Sequence, residues 1–131
     1  MPAIPVPATF DDILDSTALA HLATIGPDGH PQVNPIWFLR DGDQIVFGVK
    51  GDTQKLRNIR RHPHIALSFG ALNNPGHYLE LRGEVIAIEE YRDLSFVNLL
   101  AEKYTGKPFT GGREGEVRYR ITFQPRTWTG Q

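Results

Sequence analysis

Four cations crowd one short run of the chain, GVKGDTQKLRNIRRHP at residues 48–63: Lys55, Arg57, Arg60 and Arg61. The run follows strand-like alternation and a Gly51-Asp52 turn, and Pro63 closes it, so a helix is expected over 53–61. A helix N-terminus presents unpaired backbone N–H groups and the positive end of its dipole. Gly51 permits a sharp turn, Thr53 adds a hydroxyl donor, and Lys55 lies in the first turn, where its ammonium can swing back to the same point. Together these make an anion site, most naturally for a phosphate. Arg57, Arg60 and Arg61 extend the positive potential beyond one phosphate. A solvated helix face, with Arg60 and Arg61 complementing the C-terminal dipole, is the plainer explanation of the same residues.

Other reactive chemistry is sparse. The chain has no cysteine, which excludes thiol chemistry and disulfides. Its five histidines (His21, His30, His62, His64 and His77) show no metal-ligand spacing, and Pro63 gives His62 and His64 turn and strand-start roles, so no metal is expected. No Ser-His-Asp set or carboxylate pair stands at a telling spacing, and no catalytic acid or base is named. With 14 Lys plus Arg against 15 Asp plus Glu, the net charge is −1, so the basic character is local. No global bias towards nucleic acid or an anionic membrane exists, and no nucleic-acid-reading motif is present. MPAIPVPATF lacks the basic region of a signal peptide, and no apolar segment approaches a membrane span, so the expected setting is the cytoplasm.

The length of 131 residues suits a single domain, spanning 1–131, with residues 1–8 as a Pro-rich extended arm. Thr9 is expected to cap a short helix that carries Phe10, Ile13 and Leu14 on one face, with Asp12 at the capping-box position. Residues 19–25, 32–39 and 44–50 are expected as a three-stranded meander, turned at Asp28-Gly29 and at residues 40–43. Pro35 places the middle strand at an edge or bulge. Beyond the basic helix come a strand at 64–70, a loop at 71–76 and a long strand at 77–90 that Gly83 bends. A helix at 91–105 stops at Gly106. A flexible loop at 107–116 and a strand at 117–124, ended by Pro125, complete the chain. The result is mainly β with peripheral helices: a six-stranded antiparallel barrel, closed or nearly so.

LATIGPDGHPQVNPIWF followed by QIVFGVKGDTQKLRNIRRHPHIALSF resembles the pyridoxamine 5′-phosphate oxidase-like split-barrel family. The likeness is to the branch that uses the deazaflavin coenzyme F420. It rests on the LATI-x-x-DG-x-PQ hairpin, the D-G-D-x-I-x-F hairpin and the K-x-R-N-(I/L)-R-R-x-P helix, and covers about residues 10–90 well. The resemblance implies a split β-barrel and a homodimer with cofactor sites at the subunit interface. It places Gln32, Val33, Asn34, Pro35 and Ile36 beside the tricyclic ring. It gives Lys50, Gly51, Thr53 and Lys55 to the phosphate, and adds Arg57, Asn58 and Arg61 from the helix motif. Thr53 stands where relatives often carry Arg or Ser, which weakens the phosphate contact there. Trp37 and Phe38 face opposite sides of one strand, so one fills the barrel and the other needs a cover: a partner subunit, a ring or a substrate. Tyr78 and Trp128 join Trp37 as candidate site walls.

The implied activity is an F420-dependent reductase that passes a hydride to a small electron-poor conjugated acceptor. FMN is the alternative cofactor, and a non-catalytic F420- or flavin-binding protein is a further alternative. F420 carries a phosphodiester and an oligoglutamate tail, which suits the extended Arg57, Arg60 and Arg61 surface better than the single phosphate of FMN. The substrate pocket is expected from loops 71–76 and 107–116 together with the partner chain.

Overall fold

The computed structural model describes residues 5–113 and 115–131. A 3-10 turn at Ala8–Phe10 leads into α1 (Asp11–Leu14). There follow β1 (Ala20–Ile25), β2 (Pro31–Ile36), β3 (Phe38–Asp41), β4 (Gln44–Lys50), α2 (Gln54–Arg61), β5 (His64–Ala71), β6 (Asn74–Tyr91), α3 (Ser95–Thr105) and β7 (Arg118–Gly130). The strands form one sheet in the order β2-β1-β5-β6-β7-β4-β3, with every neighbouring pair antiparallel. Its two edge strands, β2 and β3, are consecutive in sequence and separated only by Trp37. The sheet therefore curls until its edges meet at that residue, giving a split barrel.

This corrects the expected strand count from six to seven. Residues 32–39 do not form one strand: Ile36 pairs with Ala20 of β1, whereas Phe38 pairs with Phe47 of β4. The meander is thus two hairpins at opposite ends of the strand order. Pro35 is tolerated because β2 is an edge strand, where no ladder hydrogen bond is required of a missing N–H. Inside the curl, Phe38, Phe47, Phe69 and Phe123 are fully buried, and Phe10, Ile13 and Leu14 join the same core. Val46 points the other way and packs with Phe96 and Leu100 of α3.

At the seam, side chains replace strand pairing. The Phe38 N–H donates to Tyr104 Oη (3.3 Å), and Tyr104 donates to the Ala18 carbonyl (2.8 Å). Lys103 Nζ donates to the Phe38 carbonyl (2.9 Å) and sits 3.7 Å from the centre of the Phe38 ring. Burial pushes the Tyr104 hydroxyl up to about 12 and the Lys103 ammonium down to about 8. Trp37 stacks on Tyr104 (5.2 Å between ring centres) and meets Phe109 edge-on, so its cover comes from its own chain.

Other local expectations shift for identifiable reasons. Thr9 caps no helix; it lies inside the 3-10 turn, which starts after Pro7. The 71–76 loop is a tight hairpin, with Ala71 paired to Asn74. β7 runs through Pro125 to Gly130, because Pro125 falls opposite Gly83 at a register shift. Gly83 is required there: a Cβ would lie 2.1 Å from the Gln124 carbonyl oxygen. α3 begins at Ser95 rather than residue 91, where the Asp93 carboxylate accepts from the Ser95 N–H and hydroxyl. Gly106 stops it in the left-handed conformation, as its sequence position suggests. The 107–116 loop is anchored through the Phe109 N–H to Asn98 Oδ1 (2.9 Å) and the Gly115 N–H to the Arg92 carbonyl (2.9 Å). Residues 1–4 of the expected N-terminal arm lie outside the described residues. Among the described residues no helix is long and apolar enough to cross a membrane.

Candidate functional site

The end of β4 and the start of α2 form a tight corner. The Gly51 N–H donates to the Val117 carbonyl (3.0 Å), and a Cβ on Gly51 would press within 3.3 Å of that oxygen. The left-handed position belongs to Asp52 (φ 61°), one residue later than Gly51. Thr53 stands at the N-cap with extended backbone, but its hydroxyl donates back to the Lys50 carbonyl (3.1 Å). Among the described residues no side chain caps α2, and no acidic residue occupies its first turn. The helix start therefore keeps its N–H groups and its dipole available to an external anion.

The four cations on α2 differ in their partners. Arg57 folds back onto the Asp52 carboxylate (2.9 Å), the Asp52 carbonyl and Gln54. Arg60 lies over the Tyr119 ring, 5.0 Å from its centre. Arg61 donates to the Ile25 carbonyl of β1. Among the described residues Lys55 makes no ion pair, hydrogen bond or ring contact. It is the cation left over at the uncapped end.

Beneath the helix, a polar network connects it to β2. Asn58 is fully buried; its amide donates to Thr24 Oγ1 (3.0 Å) and Gln32 Oε1 (3.3 Å), and its oxygen accepts from Gln54 Nε2 (2.7 Å). Gln32 in turn donates to Asn34 Oδ1 (2.7 Å). These two polar side chains of β2 share the inner face with Ile36, opposite Thr24, Leu22 and Ala20. Val33 and Pro35 point outward, Val33 being 59% exposed. The five residues expected beside a ring are thus divided by strand alternation into two faces. Asn58 follows Lys55 by three positions, roughly 4.5 Å of helix rise, so the network holds the β2 edge close to the helix start.

A groove of about 580 Å³ opens at this corner, lined by Lys50, Gly51, Asp52, Glu116, Val117 and Tyr119. Its neighbour Arg118 is not among the site residues expected from the sequence. In the structure its side chain is only 4% exposed and is bound to Glu116 (3.0 Å), which also lies 3.8 Å from Lys50 Nζ. The available signal was the pair Glu116 and Arg118 on one side of a strand start; only the register with Lys50 gives it meaning.

Tyr78 and Trp128 lie elsewhere. Tyr78 exchanges backbone hydrogen bonds with Gln131, and Trp128 packs edge-on against Phe10. Lys50 pairs with Arg118 and Arg118 with Tyr91, thirteen residues along β6 from Tyr78, or roughly 40 Å of strand. Within one chain, neither these walls nor the 71–76 hairpin meets the α2 corner. A larger groove, about 630 Å³, lies on the outer sheet face between Ala23, Ile25, Ala66 and the Glu84–Arg126 ion pair (2.6 Å). Ala23 is directly opposite Val33, so this groove continues onto the exposed face of β2.

The comparisons with known proteins agree with this architecture. The family model described as pyridoxamine 5′-phosphate oxidase matches residues 6–129. A solved structure described as an F420 reductase is 35% identical with a TM-score of 0.89, covering 96% of this chain and 100% of that chain. A conserved hypothetical protein from Mycobacterium tuberculosis is 22% identical, with a TM-score of 0.69, covering 98% of this chain and 85% of that one. A putative pyridoxamine 5′-phosphate oxidase from Listeria innocua is 21% identical, with a TM-score of 0.62 over 86% of each chain. These last two share the fold. No curated protein gives a significant match. On the family match across residues 6–129 and the 35% identity over nearly the whole chain, the protein belongs to the pyridoxamine 5′-phosphate oxidase-like family.

Proposed function

We propose that the protein is an F420-dependent reductase acting on a small electron-poor conjugated acceptor, as a homodimer with the cofactor between subunits. The observation that carries this reading is Lys55, unpartnered among the described residues at the uncapped start of α2, in a chain 35% identical to an F420 reductase. The corner fits a phosphate: free backbone N–H groups, one free ammonium, Lys50 alongside, and a groove large enough to admit it. Lys50, Lys55 and the backbone N–H groups at the start of α2 would hold the phosphate, with Gly51 shaping the turn and Thr53, whose hydroxyl would have to leave the Lys50 carbonyl to join them, at the N-cap. The outer face of β2, through Val33 and Pro35, would lie along the ring, while Gln32 and Asn34 fix the strand from behind through Asn58. The chemistry that bound reduced F420 would supply is a hydride, and a solvent proton would complete the two-electron reduction of the acceptor. The protein orients the ring and excludes water. The second wall of the ring comes from the partner subunit, seated over the apolar outer groove.

One observation favours FMN instead. Arg57, Arg60 and Arg61, the expected readers of an oligoglutamate tail, all have partners within the chain. Exposed contacts of this kind are worth at most about 1 kcal/mol each, so a polyanionic tail can still recruit them. Parallel titrations with F420 and FMN, monitored by calorimetry, decide between the two. Tighter F420 binding and acceptor-dependent oxidation of reduced F420 support the proposal; a flavin retained through purification with no F420 affinity overturns it. Light scattering with cofactor present should show a dimer.

A further inference from the structure

We propose that Glu116 is a built-in stand-in for a ligand anion, occupying in the free protein a subsite made by Lys50 and Arg118 that a phosphate or carboxylate oxygen takes over. The inference rests on the reading of the α2 corner as an anion site and adds to it a residue, Arg118, and a competitor, Glu116.

Lys50 and Arg118 are directly paired at the end of the β4–β7 ladder, so their side chains leave the same face. Arg118 is buried, with the Phe109 ring on one side, 5.7 Å from its guanidinium carbon. Burying a guanidinium is costly unless a counter-charge meets it. Among the described residues, the counter-charge is one carboxylate oxygen, Glu116 Oε2, which is 3.0 Å from Arg118 Nη2 and 3.8 Å from Lys50 Nζ. The remaining polar contact of the guanidinium among the described residues is the Arg113 carbonyl, at 3.5 Å. Among the described residues, these two cations therefore share a single negative charge. That oxygen borders the 580 Å³ groove, beside the uncapped start of α2. A phosphate there would neutralise both cations and reach the helix N–H groups, which Glu116, tethered two residues from Arg118, leaves unused.

Competition follows directly. Glu116 must yield before an anion binds, so it weakens binding while keeping Arg118 satisfied in the empty protein. The test is Glu116→Gln, which keeps an acceptor oxygen for Arg118 and removes the charge. At low ionic strength the variant should bind inorganic phosphate and F420 roughly three- to tenfold more tightly than the wild type, by titration calorimetry. The gain should shrink with added salt. Without anion its melting temperature should fall, because Arg118 has lost its counter-charge, and phosphate should raise it more than in the wild type.

Two further arms identify the anion. A gain equal for F420 with short and long glutamate tails assigns the subsite to the phosphate; a gain growing with tail length assigns it to a tail carboxylate. Unchanged or weaker binding of both phosphate and F420 by Glu116→Gln overturns the proposal and leaves Glu116–Arg118 as a plain ion pair. If neither F420 nor FMN binds either protein while phosphate binds the variant more tightly, the proposed function falls and the subsite stands.

Discussion

The two ends of α2 carry the same kind of side chain and put it to different uses. At the C-terminal end, Arg60 and Arg61 are spent within the fold, one on the Tyr119 ring and one on the Ile25 carbonyl. At the N-terminal end, Lys55 has no partner among the described residues, and no side chain caps the helix. Counting cations along the sequence treats the two ends alike. Their partners separate them: a charge already bonded within the chain must give up that contact to serve a ligand, and one that holds nothing can contribute at once.

The largest change should come from the axle between the two ends. Asn58→Ala removes a fully buried amide and strands Thr24, Gln32 and Gln54 without their partner. A loss of about 2–4 kcal/mol is expected in urea denaturation. A loss below about 1 kcal/mol would mean that the helix is seated by Leu56 and Ile59 alone, and that its two ends are not held to a common frame.

Next in size is Lys55→Ala. A charge-assisted hydrogen bond is worth about 1.5–3 kcal/mol, so cofactor affinity should drop roughly ten- to a hundredfold. Folding should move by no more than about 0.5 kcal/mol, as is usual for a side chain without tertiary partners. Arg61→Ala is expected to reverse the pattern, costing about 0.5–1 kcal/mol of stability through the lost bond to Ile25 and less than fivefold in cofactor affinity. Calorimetric titration of both variants breaks the comparison if Arg61→Ala proves the more damaging to binding.

A pH dependence sharpens the contrast with a third cation. Burial holds Lys103 at about 8, below its ordinary 10.5. Between those values the unfolded chain binds more protons than the folded one, so stability should rise with pH across that window. Lys103→Met should flatten this part of the pH–stability curve. An unchanged slope would mean that the Phe38 carbonyl and ring keep the ammonium charged despite its burial.

Local chemistry made much of the fold legible. Asp28-Gly29 and Gly42 mark hairpins, Pro35 marks an edge, Gly83 marks a bulge, and Gly106 marks a helix stop; each acts through its own backbone. The break at Trp37 was not legible, because nothing in NPIWFL announces that the chain trades β1 for β4. That exchange is decided by closure of the whole sheet. Pro125 misled for a related reason: the same residue ends a strand or sits in a bulge depending on Gly83, forty-two positions earlier. At the site, the helix start was readable from Gly51, Thr53 and Lys55. The buried roles of Asn58 and Arg118 were not, since both depend on residues far along the chain: Thr24 and Gln32 for one, the register with Lys50 for the other.

The seam at Trp37 has a dynamic consequence. The Phe38 amide is tied to a tyrosine hydroxyl on α3, and its carbonyl to a lysine on the same helix. Undocking one helix turn would release both without breaking a ladder between strands. Exchange of the Phe38 amide with deuterated solvent should therefore track local excursions of α3, and run faster than exchange at Leu67 or Ile121 in the middle of the sheet. The barrel would behave less as a rigid tube than as a cuff with a clasp, able to loosen along one line while the rest of its circumference stays intact.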